Sequence, residues 1–214
     1  MKYRKLVENA KKPNGFWGKM MIEAMNKGHS SLTSWGLEHM NIERTATVLD
    51  IGCGGGKTVD RLCSIVANGK VYGIDYSELS VKSSEKLNSK NILCNKAKIL
   101  QASVSDMPFD DNTFDNITAV ETYYFWPDKE NDVKEVFRVL KQGGTVMLLF
   151  EMLRTDDDPF KWEKVENMLN IKSVTPQEIR AVLESAGFEN INTYTKEGTT
   201  WLCATAQKPK DDEN

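Results

Sequence analysis

Histidine is nearly missing from this chain of 214 residues: His29 and His39 are the only two, and the four cysteines Cys53, Cys63, Cys94 and Cys203 form no C-x-x-C pair. Without zinc-type ligand spacing no metal centre is expected, and the thiols are expected to be free, as in a reducing compartment. Long hydrophobic runs are also lacking. No segment approaches a membrane span, and the start MKYRKLVENAKK has no apolar signal-peptide core. The expected location is cytoplasmic, with no membrane partner. Nor is there a basic tract beyond pairs such as Lys11-Lys12; 28 Lys+Arg against 31 Asp+Glu give a formal charge of -3. Phosphate backbones are attracted by clustered positive charge, so this balance disfavours nucleic acid and favours a small-molecule partner.

What the chain does have is the run Val48-Leu49-Asp50-Ile51-Gly52-Cys53-Gly54-Gly55-Gly56-Lys57-Thr58, an apolar strand ending in an acid, a glycine turn and a helix start. Spacing separates three readings of it. A phosphate loop ending in Gly56-Lys57-Thr58 needs a glycine at position 51, where Ile51 stands. A dinucleotide G-x-G-x-x-G beginning at Gly52 needs its last glycine at position 57, where Lys57 would hold the helix off the strand. The pattern that fits without exception is D-x-G-x-G-x-G, carried by Asp50, Gly52, Gly54 and Gly56.

The rest of the chain alternates apolar strands with amphipathic helices, the pattern of parallel βαβ units in one α/β domain. Strands are predicted at 71–75, 97–102, 114–121 and 145–150, the last after a turn at Lys141-Gln142-Gly143-Gly144. Helices are predicted at 58–66, from a Ser77 cap to about Leu87, and at 128–140. Another starts at the capping box of Thr175, Pro176 and Glu178 and stops at Gly187. Two closing strands, 190–194 and 199–206, are too close in sequence for a parallel crossover and must pair antiparallel. Trp17, Met21 and Met25 share one face of a preceding helix, expected to pack on the sheet. The tail 208–214 is charged and expected to be disordered.

The glycine run resembles motif I of the class I S-adenosylmethionine-dependent methyltransferases. Met107-Pro108-Phe109 with Phe114-Asp115 resembles that family's "LPF.D..FD" segment. The resemblance implies a Rossmann-like three-layer sandwich with a seven-stranded, mostly parallel sheet of order 3-2-1-4-5-7-6 and an antiparallel last strand. It divides the chain into an N-terminal helical lid (1–44), a methyltransferase core (45–207) and the tail. It implies S-adenosyl-L-methionine as cofactor, bound by Asp50, Gly52, Cys53, Gly54, Asp75, Tyr76, Ser103, Val104 and Glu121. Asp75 ends the second strand, where a ribose-binding acid belongs, and Tyr76 beside it can pack on adenine. Ser103 stands where the family has an adenine-binding Asp; its hydroxyl and the Val104 N–H can serve the ring, with Asp106 as an alternative.

Glu121 and Thr122-Tyr123-Tyr124-Phe125-Trp126-Pro127 follow the fourth strand, at the sheet edge where open α/β folds hold ligands. Tyr123, Tyr124 and Trp35 are the candidate substrate-binding residues, with core packing equally open to Phe125 and Trp126. Glu121, Tyr124 and His29 are the candidate catalytic residues, needed as a base only if the acceptor must lose a proton. The chain has neither a D/N-P-P-Y/F motif nor a Pro-Cys nucleophile, which removes two forms of base methylation. Transfer to a small molecule by in-line displacement is the expected activity, in a monomer or homodimer. RNA or protein as acceptor, and a nucleotide-binding module without turnover, are the alternatives.

Overall fold

Thr47–Ile51 (β1) is buried along almost its whole length because strands lie on both sides of it in a parallel sheet. The computed structural model describes residues 10, 11 and 13–210. After two helices, α1 (Gly15–Gly28) and α2 (Ser30–Leu37), the chain runs through β1, α3 (Lys57–Ile65), β2 (Lys70–Asp75), α4 (Glu78–Leu87), α5 (Ser89–Leu93) and β3 (Ala97–Gln101). It continues with β4 (Phe114–Val120), a 3-10 turn (Tyr123–Phe125), α6 (Lys129–Val139) and β5 (Leu140–Phe150). It closes with α7 (Glu163–Leu169), α8 (Pro176–Ser185), β6 (Glu189–Thr195) and β7 (Leu202–Gln207). The sheet order is β3-β2-β1-β4-β5-β7-β6, as expected, with β7 antiparallel to both its neighbours.

The period-two alternation of strand side chains sorts the apolar residues into two layers. Leu49, Ile51, Ile117 and Leu148 face a core completed by Val133 and Val136 of α6 and Ile179 and Leu183 of α8. Val48 and Val71 face the other way, onto Val59 and Leu62 of α3, while Met147 and Leu149 meet Leu32 of α2. Each of these side chains, fully withdrawn from water, contributes roughly 1.5–3 kcal/mol. Ser77 caps α4 by accepting the Ser80 N–H, and the capping box of Thr175 and Glu178 opens α8.

Three expectations need correction. The turn at residues 141–144 lies inside β5: the register steps from Phe114 opposite Leu140 to Asn116 opposite Thr145, so the extra residues form a bulge. The bulge is held by Gly143 N–H donating to Lys208 O and Lys208 N–H donating to Gly144 O, with Gly143 at φ 73°. On α1 the buried residues are Gly18 and Ile22 rather than Trp17, Met21 and Met25, which are half-buried. The reason is that α1 packs on α4 instead of the sheet; a Cβ on Gly18 would lie 2.9 Å from Leu79 Cδ2.

The start of the tail is also ordered by contacts, while 211–214, like 1–9 and 12, lie outside the described residues. Lys208 is buried, its Nζ donating to Asn112 Oδ1 (2.9 Å), Phe137 O (2.8 Å) and Leu140 O (2.9 Å). The end of α6 offers carbonyls without helical partners, and a single ammonium satisfies several of them. Lys208→Ala should therefore destabilise the fold by about 1–3 kcal/mol, read as a lower urea midpoint at unchanged slope.

Candidate active site

The carboxyl ends of four neighbouring strands each carry an acid: Asp50 in β1, Asp75 closing β2, Glu121 directly after β4 and Glu151 directly after β5. Parallel alignment brings these ends to one edge of the sheet, where the loops turn back and leave a crevice. Asp50, Asp75 and Glu121 line a cavity of about 110 Å³ together with Gly52, Cys53, Gly54 and His29. A second cavity of about 1040 Å³ adjoins it, sharing Gly52, Asp75, Tyr76, Thr122 and Phe125 and extending along Ser103, Val104, Tyr123 and Tyr124 to residues 170–179.

The glycine loop is tied to β2 through Asp75. One Asp75 oxygen accepts the Gly54 N–H (3.0 Å), the other the Ser77 N–H (2.8 Å), so the acid holds both the loop and the start of α4. Its remaining lone pairs are available to a ligand. At Gly54 the backbone takes φ 52°, and an added Cβ would meet nothing closer than Gly52 O at 4.0 Å. The space beside this residue is thus a cradle that a side chain would fill and a ligand can enter. Above it, α1 closes on the loop: a Cβ on Gly55 would lie 2.3 Å from Asn26 Nδ2 and 2.5 Å from Ile22 Cγ2.

Burial governs the electrostatics. Asp50 is pushed up to about 7 by loss of solvent, against a 2.7 Å hydrogen bond donated by Thr118 Oγ1, with Asp75 raising it further. Burial also raises Asp75, against its backbone hydrogen bonds. Glu121 is pushed up to about 8, again mainly by burial, although its carboxylate accepts the Glu151 N–H and the Tyr124 hydroxyl. Its φ of 58° is in the left-handed region, which is uncommon for a residue with a side chain and marks a position held by its surroundings. His29 Nε2 lies 3.8 Å from Glu151 Oε2; burial lowers its pKa, partly offset by that carboxylate. The ligand atoms of His29, Glu121 and Glu151 fall within 4.8 Å of one another, an acceptor-rich corner that favours positive charge.

Asp50, Gly52, Cys53, Gly54, Asp75, Tyr76, Glu121 and His29 thus meet at the first cavity, and Ser103, Val104, Tyr123 and Tyr124 at the second. Phe125 lines both. Trp35 is a correction: it packs on Trp201 and His39, at ring-centroid distances of 5.9 and 5.0 Å, and lines neither cavity. Helix α2 docks on the β5–β7 face, which turns Trp35 away from the strand ends. Asp106 is exposed and lines neither cavity, because its N–H pairs with Ser103 O and turns the chain outward. Glu151 was missed, although the rule that found Asp75 and Glu121, an acid at the carboxyl end of a strand, also marks it.

This sheet order with a glycine loop and strand-end acids at one crevice defines a class I methyltransferase. A family model described as a methyltransferase domain matches residues 49–148. The uncharacterized methyltransferase YdaC of Bacillus subtilis is 27% identical over 85% of this chain and 93% of its own length. The ubiquinone/menaquinone biosynthesis C-methyltransferase UbiE of Cronobacter sakazakii is 29% identical over 84% of this chain and 81% of its own. The chain spans less than half the length of the sterol 24-C-methyltransferases it also matches. Among solved structures, the methyltransferase in complex with the Haloferax volcanii Trm112 activator superposes with a TM-score of 0.74 at 19% identity, covering 88% of this chain and 93% of that one. Residues 49–148 thus carry a methyltransferase domain of the class I, S-adenosylmethionine-dependent type.

Proposed function

We propose that the protein moves a methyl group from S-adenosylmethionine to a small-molecule acceptor by in-line displacement. The observation that carries this reading is the open cradle at Gly54 beside the anchored carboxylate of Asp75, both facing a cavity continuous with a larger one. These residues fit the group: Asp75 can accept both ribose hydroxyls, Gly54 leaves room for the amino acid moiety, and Ser103 with Val104 N–H can meet adenine. When bound, the cofactor supplies an electrophilic methyl carbon on a sulfonium.

What the chain adds is alignment and exclusion of water. α1, with Asn26 and Ile22 on the loop, acts as the lid, and Asp50, Glu121 and Glu151 offer acceptor oxygens to a cationic centre beneath it. Glu121 holds or accepts a proton near neutral pH if the acceptor must lose one, with Tyr124 fixing its carboxyl and His29 as the neighbouring base. Tyr123 and Tyr124 wall the acceptor side. The quinone relative supports a small-molecule acceptor, and no helix among the described residues is long and apolar enough to cross a membrane.

Calorimetry with S-adenosylmethionine, ATP and NAD tests the reading. Binding of the first alone is expected, and no binding of it sinks the proposal. Ser103→Ala should weaken that binding modestly, by less than about 5-fold, because one neutral hydrogen bond is lost.

A further inference from the structure

Three lysines from three separate segments line the larger cavity: Lys11 before α1, Lys129 at the start of α6 and Lys172 after α7. None of them forms a direct ion pair among the described residues, although Asp132 acts on Lys129, and Glu166 and Lys172 on each other, at longer range. Three acids stand in the same wall, Asp75, Glu166 and Glu178. Glu166 accepts the N–H and the hydroxyl of Ser173, at 2.7 and 2.6 Å, and Glu178 pairs with Arg154 and accepts the Thr175 N–H. With Glu178 taken up by Arg154, the three lysines face Asp75 and Glu166, an excess of one positive charge around this cavity in a chain whose formal charge is -3.

S-adenosylmethionine carries no phosphate, and its one anionic group, the α-carboxylate, belongs with the amino acid moiety at the glycine loop; Lys11 lines that first cavity as well, whereas Lys129 and Lys172 line only the larger one. The cavity beyond the part shared with the glycine loop is walled by Trp126, Ile171, Val174 and Ile179, which fit an apolar body. Lys129 is half-buried there, its Nζ 5.6 Å from the centre of the Tyr123 ring. Burial lowers its pKa, and the charges of Lys11 and Lys172 lower it further against the opposing pull of Asp132. An ammonium held partly out of water and within reach of two others is relieved by a bound anion.

Resting on the methyltransferase reading, we propose that the larger cavity binds an acceptor made of an apolar body and an anionic group, carboxylate or phosphate, with Lys129 and Lys172 as the residues that select the anion. The apolar wall takes the body, the tyrosines hold the edge next to Glu121, and the lysines draw the acid toward the cavity mouth. The three lysines act as point charges and tolerate more than one anion geometry.

The test uses the full-length protein with S-adenosylhomocysteine present and two probes of one shape, 2-naphthoate and 2-naphthylmethanol, titrated by calorimetry. Wild type should bind the naphthoate about 10-fold more tightly, and Lys129→Gln and Lys172→Gln should each remove about 3–10-fold of that preference, with the alcohol unaffected. Raising salt should shrink the preference as well. Equal affinity for the two probes, no binding of either, or a preference that survives both substitutions overturns the proposal. So does lysine-dependent cosedimentation with anionic phospholipid vesicles without a preference for naphthoate, which would make this face a lipid surface. S-adenosylhomocysteine affinity should be the same in wild type and both variants. If wild type does not bind that compound, the donor reading has failed, and the probe comparison, run without it, still decides the acceptor class.

Discussion

Asp75→Ala is expected to weaken S-adenosylhomocysteine binding by about 10–100-fold, the loss of one or two charge-assisted hydrogen bonds. The physical reason is double. In the proposed donor pocket the carboxylate accepts from the ribose, and it already holds the Gly54 N–H at 3.0 Å and the Ser77 N–H at 2.8 Å. Removing it takes away the ligand's partner and also frees the glycine loop and the first turn of α4, so the cradle beside Gly54 is no longer pre-set. Asp75→Asn should recover only part of the affinity, because an amide keeps one acceptor and turns its NH2 toward a backbone N–H. Calorimetry on folded variants, with circular dichroism to match their folds, gives the answer. A change below about 3-fold in Asp75→Ala would take Asp75 out of the binding site.

Glu121→Gln is expected to abolish a pH-dependent loss of stability in the ligand-free protein. The folded carboxyl is pushed up to about 8 from 4.5, chiefly by burial, so below about 4.5 the folded and unfolded states are both protonated and nothing is lost. As pH rises to about 8 the unfolded chain ionises while the folded one keeps its proton; stability therefore falls across that window. The fall contributed by this one group is on the order of 4 kcal/mol. Glutamine has no charge to desolvate and should flatten the curve, leaving the variant more stable than wild type at pH 9 and equal to it near pH 4. Urea titrations across pH 4–9 measure this, and identical slopes for the two proteins would contradict the buried placement of Glu121. In turnover the same substitution should cost about 100-fold if Glu121 takes the acceptor's proton, and should flatten the acid limb of the rate profile, where wild type loses activity as the base is protonated.

The methyltransferase core was readable because its signals are local. Strand ends, the Ser77 and Thr175 caps and the glycine loop each depend on neighbouring residues, and the short link between β6 and β7 forces their antiparallel pairing. The misreadings share an opposite cause. Lys208 reads as part of a polar tail until the carbonyls at the end of α6 are set beside it. Trp35 looks like a pocket aromatic until α2 docks against Met147 and Leu149. The bulge in β5 follows from hydrogen bonds with a segment more than sixty residues away.

By itself, the sequence determined the α/β order, the sheet's antiparallel ending and the glycine turn after the first strand, because spacing along a chain dictates which backbone groups can pair and which glycines can turn. Only the tertiary structure decided which acids share a cavity, that Glu121 is raised by burial, and that Lys11, Lys129 and Lys172 converge. Desolvation and charge repulsion act through space across distant segments, and composition averages them into a net charge of -3 that conceals where the lysines gather.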